Sequence, residues 1–98
     1  MAKITAKYET IYILSPNLSE EDTAALVQKF RALTESHGTL DEVEEWGRRR
    51  LAYEINKLTE GYYVLMRFES PPGFPAELER VLGITDGVIR WLTVCKDQ

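Results

Sequence analysis

Apolar and β-branched residues are concentrated in two stretches of the chain that end at turn-forming sequences, as they do in β-strands. Residues 7–14 are rich in Tyr, Ile and Thr, and a Ser-Pro-Asn sequence then breaks the pattern. Residues 61–69 are the second stretch and are followed by a Pro-Pro-Gly sequence at 71–73. We therefore predict strands over 7–14 and 61–69, and one face of the later strand consists of Tyr62, Val64, Met66 and Phe68.

A helical spacing follows the first of these strands. Ser19 and Asp22 resemble a capping box with Asp in place of the usual Glu or Gln, and residues 20–22 are acidic, which suits the positive end of a helix dipole. We predict a helix that begins after Ser19, ends at about Ser36 and is capped by Gly38. Apolar residues on one face of this helix recur at i, i+3, i+4 and i+7, namely Thr23, Leu26, Val27, Phe30 and Leu33.

Three more elements complete the expected order. Residues 39 to about 55 predict a strand that contains a loop, Pro75 to about Leu82 predicts a short helix closed at Gly83, and residues 88–95 predict a last strand. The order β-α-β-β-α-β is typical of the split-βαβ or ferredoxin-like plan. We expect an α+β fold in which a four-stranded antiparallel sheet carries two helices on one face, and residues 1–98 fit a single domain.

Two helices can cover only one face of the first strand. Tyr8, Thr10, Tyr12 and Leu14 point to one face, and Glu9, Ile11 and Ile13 point to the other. Large apolar side chains are left uncovered whichever face meets the helices. One interpretation is that these are isolated exposed apolar residues, which are normal on any surface. The alternative interpretation is that the uncovered face docks a partner.

Positive charge is concentrated in one segment of an acidic chain. The chain has 12 Lys+Arg and 16 Asp+Glu, a net charge of -4. Residues 46–57 hold four cations and one anion, a local +3, which leaves -7 for the rest. This segment suggests a localised contact with an anion, because guanidinium groups suit phosphate oxygens and the flanking aromatic rings offer stacking surfaces.

The three consecutive arginines of this segment have two interpretations. On an alternating strand, Arg48 and Arg50 would share one face and Arg49 would lie on the other. They could contact nucleic acid, or they could pair locally with the acidic residues that precede them. Charge alone weighs these interpretations equally, and the acidic candidates are Asp41, Glu42, Glu44 and Glu45.

Residues that could support catalysis are sparse. His37 is the only histidine and is expected to interact with the end of the first helix. Cys95 is the only cysteine, which argues against a metal cluster or a redox pair and fits a reducing cytoplasm. The glycines are dispersed rather than gathered in a phosphate-binding loop, and no apolar run approaches the ~18 residues of a membrane span. We predict no enzyme, no metal, no cofactor and no membrane partner.

Short motifs along the chain resemble bacterial small-subunit ribosomal protein S-six. The likeness extends from residue 8 to about residue 96, and its most specific part is the run Gly-Arg-Arg-Arg-Leu-Ala-Tyr at 47–53. The resemblance implies a ferredoxin-like structural constituent of the small ribosomal subunit in the cytoplasm. The other matching motifs are Tyr8-Glu9, Pro16-Asn17-Leu18, Trp46, Ile55-Asn56-Lys57 and Gly61-Tyr62.

The same resemblance implies two partners, the central domain of small-subunit ribosomal RNA and ribosomal protein S-eighteen. A basic protein partner would offset the acidic balance of this chain. The residues carried over as RNA-binding would neutralise phosphates and so fix position rather than read sequence, and they are Arg48, Arg49, Arg50 and Lys57. Trp46 and Tyr53 are candidates for packing the hairpin or contacting the partner, and alternation alone assigns Ile11 and Ile13 to the partner-facing surface.

Two other functions are compatible with the same fold. A small-molecule-binding regulatory module would show a glycine-rich turn or paired polar groups, and the sequence has neither. An enzyme of the acylphosphatase type would need an arginine near the end of the first strand and a nearby asparagine. Asn17 lies in that region, but no arginine does.

Overall fold

The elements follow the predicted order β-α-β-β-α-β in the computed structural model, which describes residues 5–55 and 57–96. The strands form one antiparallel sheet in the order β2-β3-β1-β4. The expected ferredoxin-like α+β plan is confirmed. The bounds are β1 Ala6–Leu14, α1 Glu20–His37, β2 Thr39–Ile55, β3 Leu58–Ser70, α2 Phe74–Ile84 and β4 Val88–Cys95.

Local contacts explain both ends of α1. The Ser19 hydroxyl accepts a hydrogen bond from the backbone N–H of Asp22 at 3.1 Å, as the capping pattern predicts. The N–H of Gly38 donates to the carbonyl of Thr34 at 3.0 Å, so the predicted cap is also confirmed. The backbone of Gly38 is extended rather than left-handed. Glycine is needed there because a Cβ would run into the backbone carbonyl of Glu69 on β3.

No loop interrupts β2, so that part of the prediction is wrong. The strand runs for 17 residues and absorbs its irregularities as register shifts at Leu40/Glu42, Glu45/Gly47 and Arg50/Ile55. Gly47 has a φ of 81°, the left-handed conformation that favours glycine at a β-bulge. At a bulge the strands remain paired on either side, but the side chains no longer alternate regularly between the two faces. In the sequence, this loss of alternation is the same pattern that a loop would give.

The second helix extends past its predicted end. It continues to Ile84, and Gly83 lies inside it rather than closing it. A Cβ on Gly83 would lie 3.2 Å from Cη2 of Trp91, so this glycine lets the indole ring of β4 pack closely on the helix. Gly83 therefore serves helix–sheet packing, and its position does not mark the helix end.

Both helices pack on the same face of the sheet. The face of β1 that contains Tyr12 and Leu14 points toward them, and so does the predicted apolar face of β3. Thr34 of α1 is also fully buried, and its hydroxyl is satisfied by donation to the carbonyl of Phe30 at 2.9 Å. The opposite face, here called the open face, is not covered by α1 or α2. The buried core consists of Tyr12, Leu14, Val27, Phe30, Val64, Met66, Phe68, Phe74, Leu78 and Leu82.

Candidate nucleic-acid and partner interface

The arginine run lies on a hairpin that extends beyond the rest of the sheet. β1 ends at Leu14, which pairs with Tyr62, whereas β2 and β3 continue to pair from Arg48↔Tyr62 out to Ile55↔Leu58. Residues 48–61 are here called the projecting hairpin. The bulged edge strand β2 thus carries the basic segment past the end of β1 and along the free edge of the sheet.

The three arginines divide between the two faces as predicted. Arg48 pairs with Tyr62 and lies on the helix side, whereas Arg49 pairs with Gly61 and lies on the open side. All three arginines are exposed. Arg48 donates to the carbonyl of Pro16 at 3.0 Å. The guanidinium of Arg49 lies 5.5 Å from the centroid of the Trp46 ring, and its Nε donates to the carbonyl of Trp46 at 3.4 Å.

Three of the four preceding carboxylates, those of Glu42, Glu44 and Glu45, are bonded to other groups. Arg67 of β3 binds Glu42 at 2.6 Å and Glu44 at 3.0 Å, and also Glu9 of β1 at 2.9 Å. Glu45 accepts a hydrogen bond from the Tyr62 hydroxyl at 2.8 Å, which raises the pKa of that tyrosine. Over residues 5–55 and 57–96, no carboxylate forms an ion pair with the arginine run. The interpretation of the run as a set of local ion pairs is therefore wrong.

Lys57 lies apart from the arginines, in the turn of the projecting hairpin. It is exposed and has a φ of 67°, a left-handed backbone conformation that is uncommon for residues other than glycine and typical of tight turns. Its neighbour Asn56, part of the Ile55-Asn56-Lys57 motif, lies outside the described residues. The turn thus places the fourth candidate cation at the far end of the hairpin.

The open face presents apolar side chains to solvent, but only some of the residues predicted to contact a partner are among them. Ile11 is half-buried and Ile13 is only 8% exposed, so Ile13 contributes little accessible surface. Tyr53 is 56% exposed and Trp46 is 38% exposed. Leu92 on β4, which is 62% exposed and pairs with Ile11, also lies on this face but was not predicted from the sequence, and the same holds for Val94. Their alternation along β4 was the signal that could have found them.

Beside these apolar residues lies an acidic cluster, defined as Glu9, Glu42 and Glu44 around Arg67. Three carboxylates and one guanidinium give this cluster a net charge of -2. The carboxylates raise the pKa of Arg67 above its ordinary value. The pKa of Glu44 is lowered chiefly by a hydrogen bond from the Trp46 indole N–H at 3.3 Å, with Arg67 contributing. The open face thus carries exposed apolar side chains and a negative cluster next to each other.

Acidification is expected to destabilise the fold in part through Glu44. A carboxyl whose pKa is lowered in the folded state stabilises the fold above its unfolded pKa of about 4.3, and this contribution is lost as the pH falls through the lower, folded value. Urea unfolding at pH values from 6 to 3 measures the loss. Trp46→Phe removes the indole donor and keeps an aromatic ring against Tyr63, so it should reduce the loss. Identical pH profiles for the two proteins would contradict this role.

The described residues offer little that could support catalysis or hold a cofactor. His37 ends α1 and stacks on Phe74 with ring centroids 4.8 Å apart. Within the described ranges, no group of three or more His, Cys, Asp or Glu side chains is placed to hold a metal ion. Neither of the two described helices is long and apolar enough to cross a membrane.

Comparison with known proteins agrees with this geometry. The family model described as Ribosomal protein S6 matches residues 7–95. The chain is 52% identical over 93 residues to Small ribosomal subunit protein bS6 of Clostridium perfringens, which covers 94% of this chain and 98% of that protein. It is 53% identical over 88 residues to the protein of the same name from Clostridium novyi, covering 89% of this chain and 93% of that protein.

A solved structure gives the same result. The crystal structure of 30S ribosomal protein S6 from Thermotoga maritima superposes with a TM-score of 0.89 at 35% identity, and the alignment covers 95% of this chain and 89% of that one. The chain belongs to the ribosomal protein S6 family, the S-six family that its Gly-Arg-Arg-Arg-Leu-Ala-Tyr motif indicates.

Proposed function

We propose that this chain, as a single domain, is a structural constituent of the small ribosomal subunit in the cytoplasm, and that it is not an enzyme. In this role it binds the central domain of small-subunit ribosomal RNA together with ribosomal protein S-eighteen. Family membership supports the ribosomal role, because the relatives are named as small ribosomal subunit proteins. The observation that carries the RNA contact is the exposed, carboxylate-free arginine run on the projecting hairpin.

The RNA contact is assigned to the free edge of β2. Because this strand lies at the edge of the sheet, a phosphate backbone running along it can be reached from both faces. Arg48 and Arg50 would approach from the helix side and Arg49 from the open side, while Lys57 extends the basic surface to the turn. Contacts of this kind neutralise phosphates and fix the protein on the RNA without reading its sequence.

The partner contact is assigned to the open face. Exposed apolar side chains there lie next to a cluster with a net charge of -2, which complements a partner that is both basic and apolar. Ile11 and Leu92 lie on this face, and so do Trp46, which stacks on Tyr63, and Tyr53, which contacts Arg90 of β4. Two separate surfaces allow the RNA and ribosomal protein S-eighteen to bind at the same time.

The test is a titration of central-domain ribosomal RNA at several salt concentrations, with ribosomal protein S-eighteen present and then absent. We expect tight, salt-sensitive binding that depends on the partner. Equal affinity in both series would refute cooperative assembly while leaving the RNA contact in place. A lack of binding in both series would refute the RNA-binding function itself.

The open-face assignment makes a separate prediction about Leu92. Leu92→Glu should weaken binding to ribosomal protein S-eighteen about tenfold or more, since it replaces an exposed apolar contact with a charge. The stability of the free chain should change by only about 0.5 kcal/mol, because the side chain is already in water. Isothermal titration calorimetry measures the first effect and urea unfolding the second.

The matched control is Ile84→Glu. Ile84 is 69% exposed and lies on α2, which is on the helix-covered side of the sheet. It introduces the same charge at a similar exposure and should leave partner affinity unchanged. Equal losses of affinity for the two variants would show that the open face is not the docking surface.

A further inference from the structure

Arg90 lies on β4, at the opposite edge of the sheet from β2, and contacts the projecting hairpin. Its guanidinium carbon lies 5.2 Å from the centroid of the Tyr53 ring. Tyr53 belongs to β2, which forms one edge of the sheet. Arg90 belongs to β4, which forms the other edge, and pairs with Ile13 of β1. The hairpin therefore curls back across β3 and β1 over the open face. A long two-stranded ribbon favours this shape because its right-handed twist is stronger than that of a wide sheet.

Beneath this contact lies a small cleft of about 160 Å³. Leu51, Tyr53 and Ile55 line it from the hairpin, and Ile13, Tyr63 and Arg90 line it from the sheet. The base of the hairpin lies directly against β1, since a Cβ on Gly61 would run into Cγ2 of Ile13. Leu51 is only 7% exposed, in contrast to the exposed residues on both sides of it. The hairpin thus rests on the open face through Leu51 and through the Tyr53–Arg90 stack.

We propose that Arg90 is a positioning residue for RNA binding, which acts by holding the projecting hairpin in one orientation through Tyr53. The inference rests on the proposed RNA-binding function. A two-stranded hairpin is marginally stable by itself, so its orientation depends on contacts with the rest of the fold. A guanidinium over an aromatic ring is such a contact, and it crosses from one edge of the sheet to the other. Fixing the hairpin in advance reduces the conformational entropy that is lost when its arginines meet RNA.

The first arm of the test uses the free chain and needs no RNA. Arg90→Ala should raise amide hydrogen exchange in the projecting hairpin about two- to fivefold, the range of an exposed cation–π contact. Tyr53→Ala should do the same, and the double variant should exchange no faster than either single variant. Arg80→Ala is the control, because Arg80 lies on α2 and pairs with Glu77. Unchanged hairpin exchange in Arg90→Ala would overturn the inference.

The second arm measures RNA affinity against salt concentration with ribosomal protein S-eighteen present. A positioning role predicts that Arg90→Ala weakens binding about two- to fivefold with an unchanged salt slope. It also predicts no further loss when Tyr53 is already alanine. A slope lowered by roughly one unit would mean that Arg90 itself contacts a phosphate, which would overturn the positioning role.

The two arms separate failure of this inference from failure of the proposed function. If the unaltered chain binds no RNA even with ribosomal protein S-eighteen present, the proposed function and the RNA part of this inference are both refuted. The exchange measurement would still decide whether Arg90 holds the hairpin. If the chain binds RNA but Arg90→Ala changes neither exchange nor affinity, only the role of Arg90 is refuted.

Discussion

Replacing Arg48, Arg49 and Arg50 together by alanine is expected to weaken binding to central-domain ribosomal RNA about a hundred- to a thousandfold near 0.1 M salt. Each guanidinium that neutralises a phosphate releases about one counterion, so three lost contacts should also lower the slope of log affinity against log salt by roughly two to three units. All three side chains are exposed and none is in an ion pair among the described residues, so the fold should survive their loss. Filter binding or fluorescence anisotropy over a salt series, with ribosomal protein S-eighteen present, measures both effects.

The control for this variant must remove the same charge from another surface. Lys29, Arg31 and Arg80 lie on the two helices, and replacing them by alanine gives the same net charge of -7 as the arginine-run variant. This control should bind RNA with nearly the unaltered slope. An equal loss in both variants would indicate a general charge effect, and an unchanged slope in the arginine-run variant would place the RNA contacts elsewhere. Arg49→Ala compared with the Arg48→Ala, Arg50→Ala pair would show which face contributes more.

Gly38→Ala is expected to lower the free energy of unfolding by about 3 kcal/mol, the upper part of the usual range for overpacking. The added Cβ would collide with the backbone carbonyl of Glu69 and lie 3.0 Å from both Cα and Cβ of Ser70. A flexible side chain could rotate away, but the backbone of β3 cannot. The α1–β2 connection and β3 would therefore have to separate. Chemical denaturation monitored by circular dichroism measures the change.

Gly73→Ala is the matched control, since a Cβ at that position meets no atom within 4 Å. Both positions have φ values that alanine can adopt, so the comparison isolates the steric effect. We expect a change of about 0.5 kcal/mol or less at Gly73. Similar losses at both positions would contradict the steric role of Gly38, because the effect of Gly→Ala on the unfolded chain is to stabilise the fold and cannot produce a loss.

The order of elements was predictable because side-chain periodicity reflects burial directly. The residues of β4 and the core face of β3 were both predicted from the sequence. The continuity of β2 was not, because its bulges shift the alternation while the strand remains paired. Gly38 and Gly83 were predicted as helix ends, but glycine is required at these two positions because a neighbouring strand packs against them. Such a requirement has no local signal in the sequence.

The candidate interface was predictable only where it depends on neighbours along the chain. Alternation gave the division of Arg48 and Arg49 between two faces. Charge could not decide between ion pairing and exposure, because the decision depends on Arg67, a cation that is distant in sequence and binds the acidic residues instead. The contact of Arg90 with Tyr53 depends on the curl of a whole hairpin. That geometry arises from sheet twist and not from any short motif.

The central position of β1 determines when the chain can complete its fold during synthesis. β1 is made first, yet one of its two neighbours is β4, and the hydroxyls of Thr10 and Thr93 meet at 2.9 Å across that pairing. The hairpin of β2 and β3 can form as soon as its residues leave the ribosome, since its partners are close in sequence. β1 keeps one unpaired edge until residues 88–95 emerge, and closing so long a loop slows folding. A nascent chain halted before Val88 would expose that edge to other strands, because the β4 residues that cover it would not yet have been made.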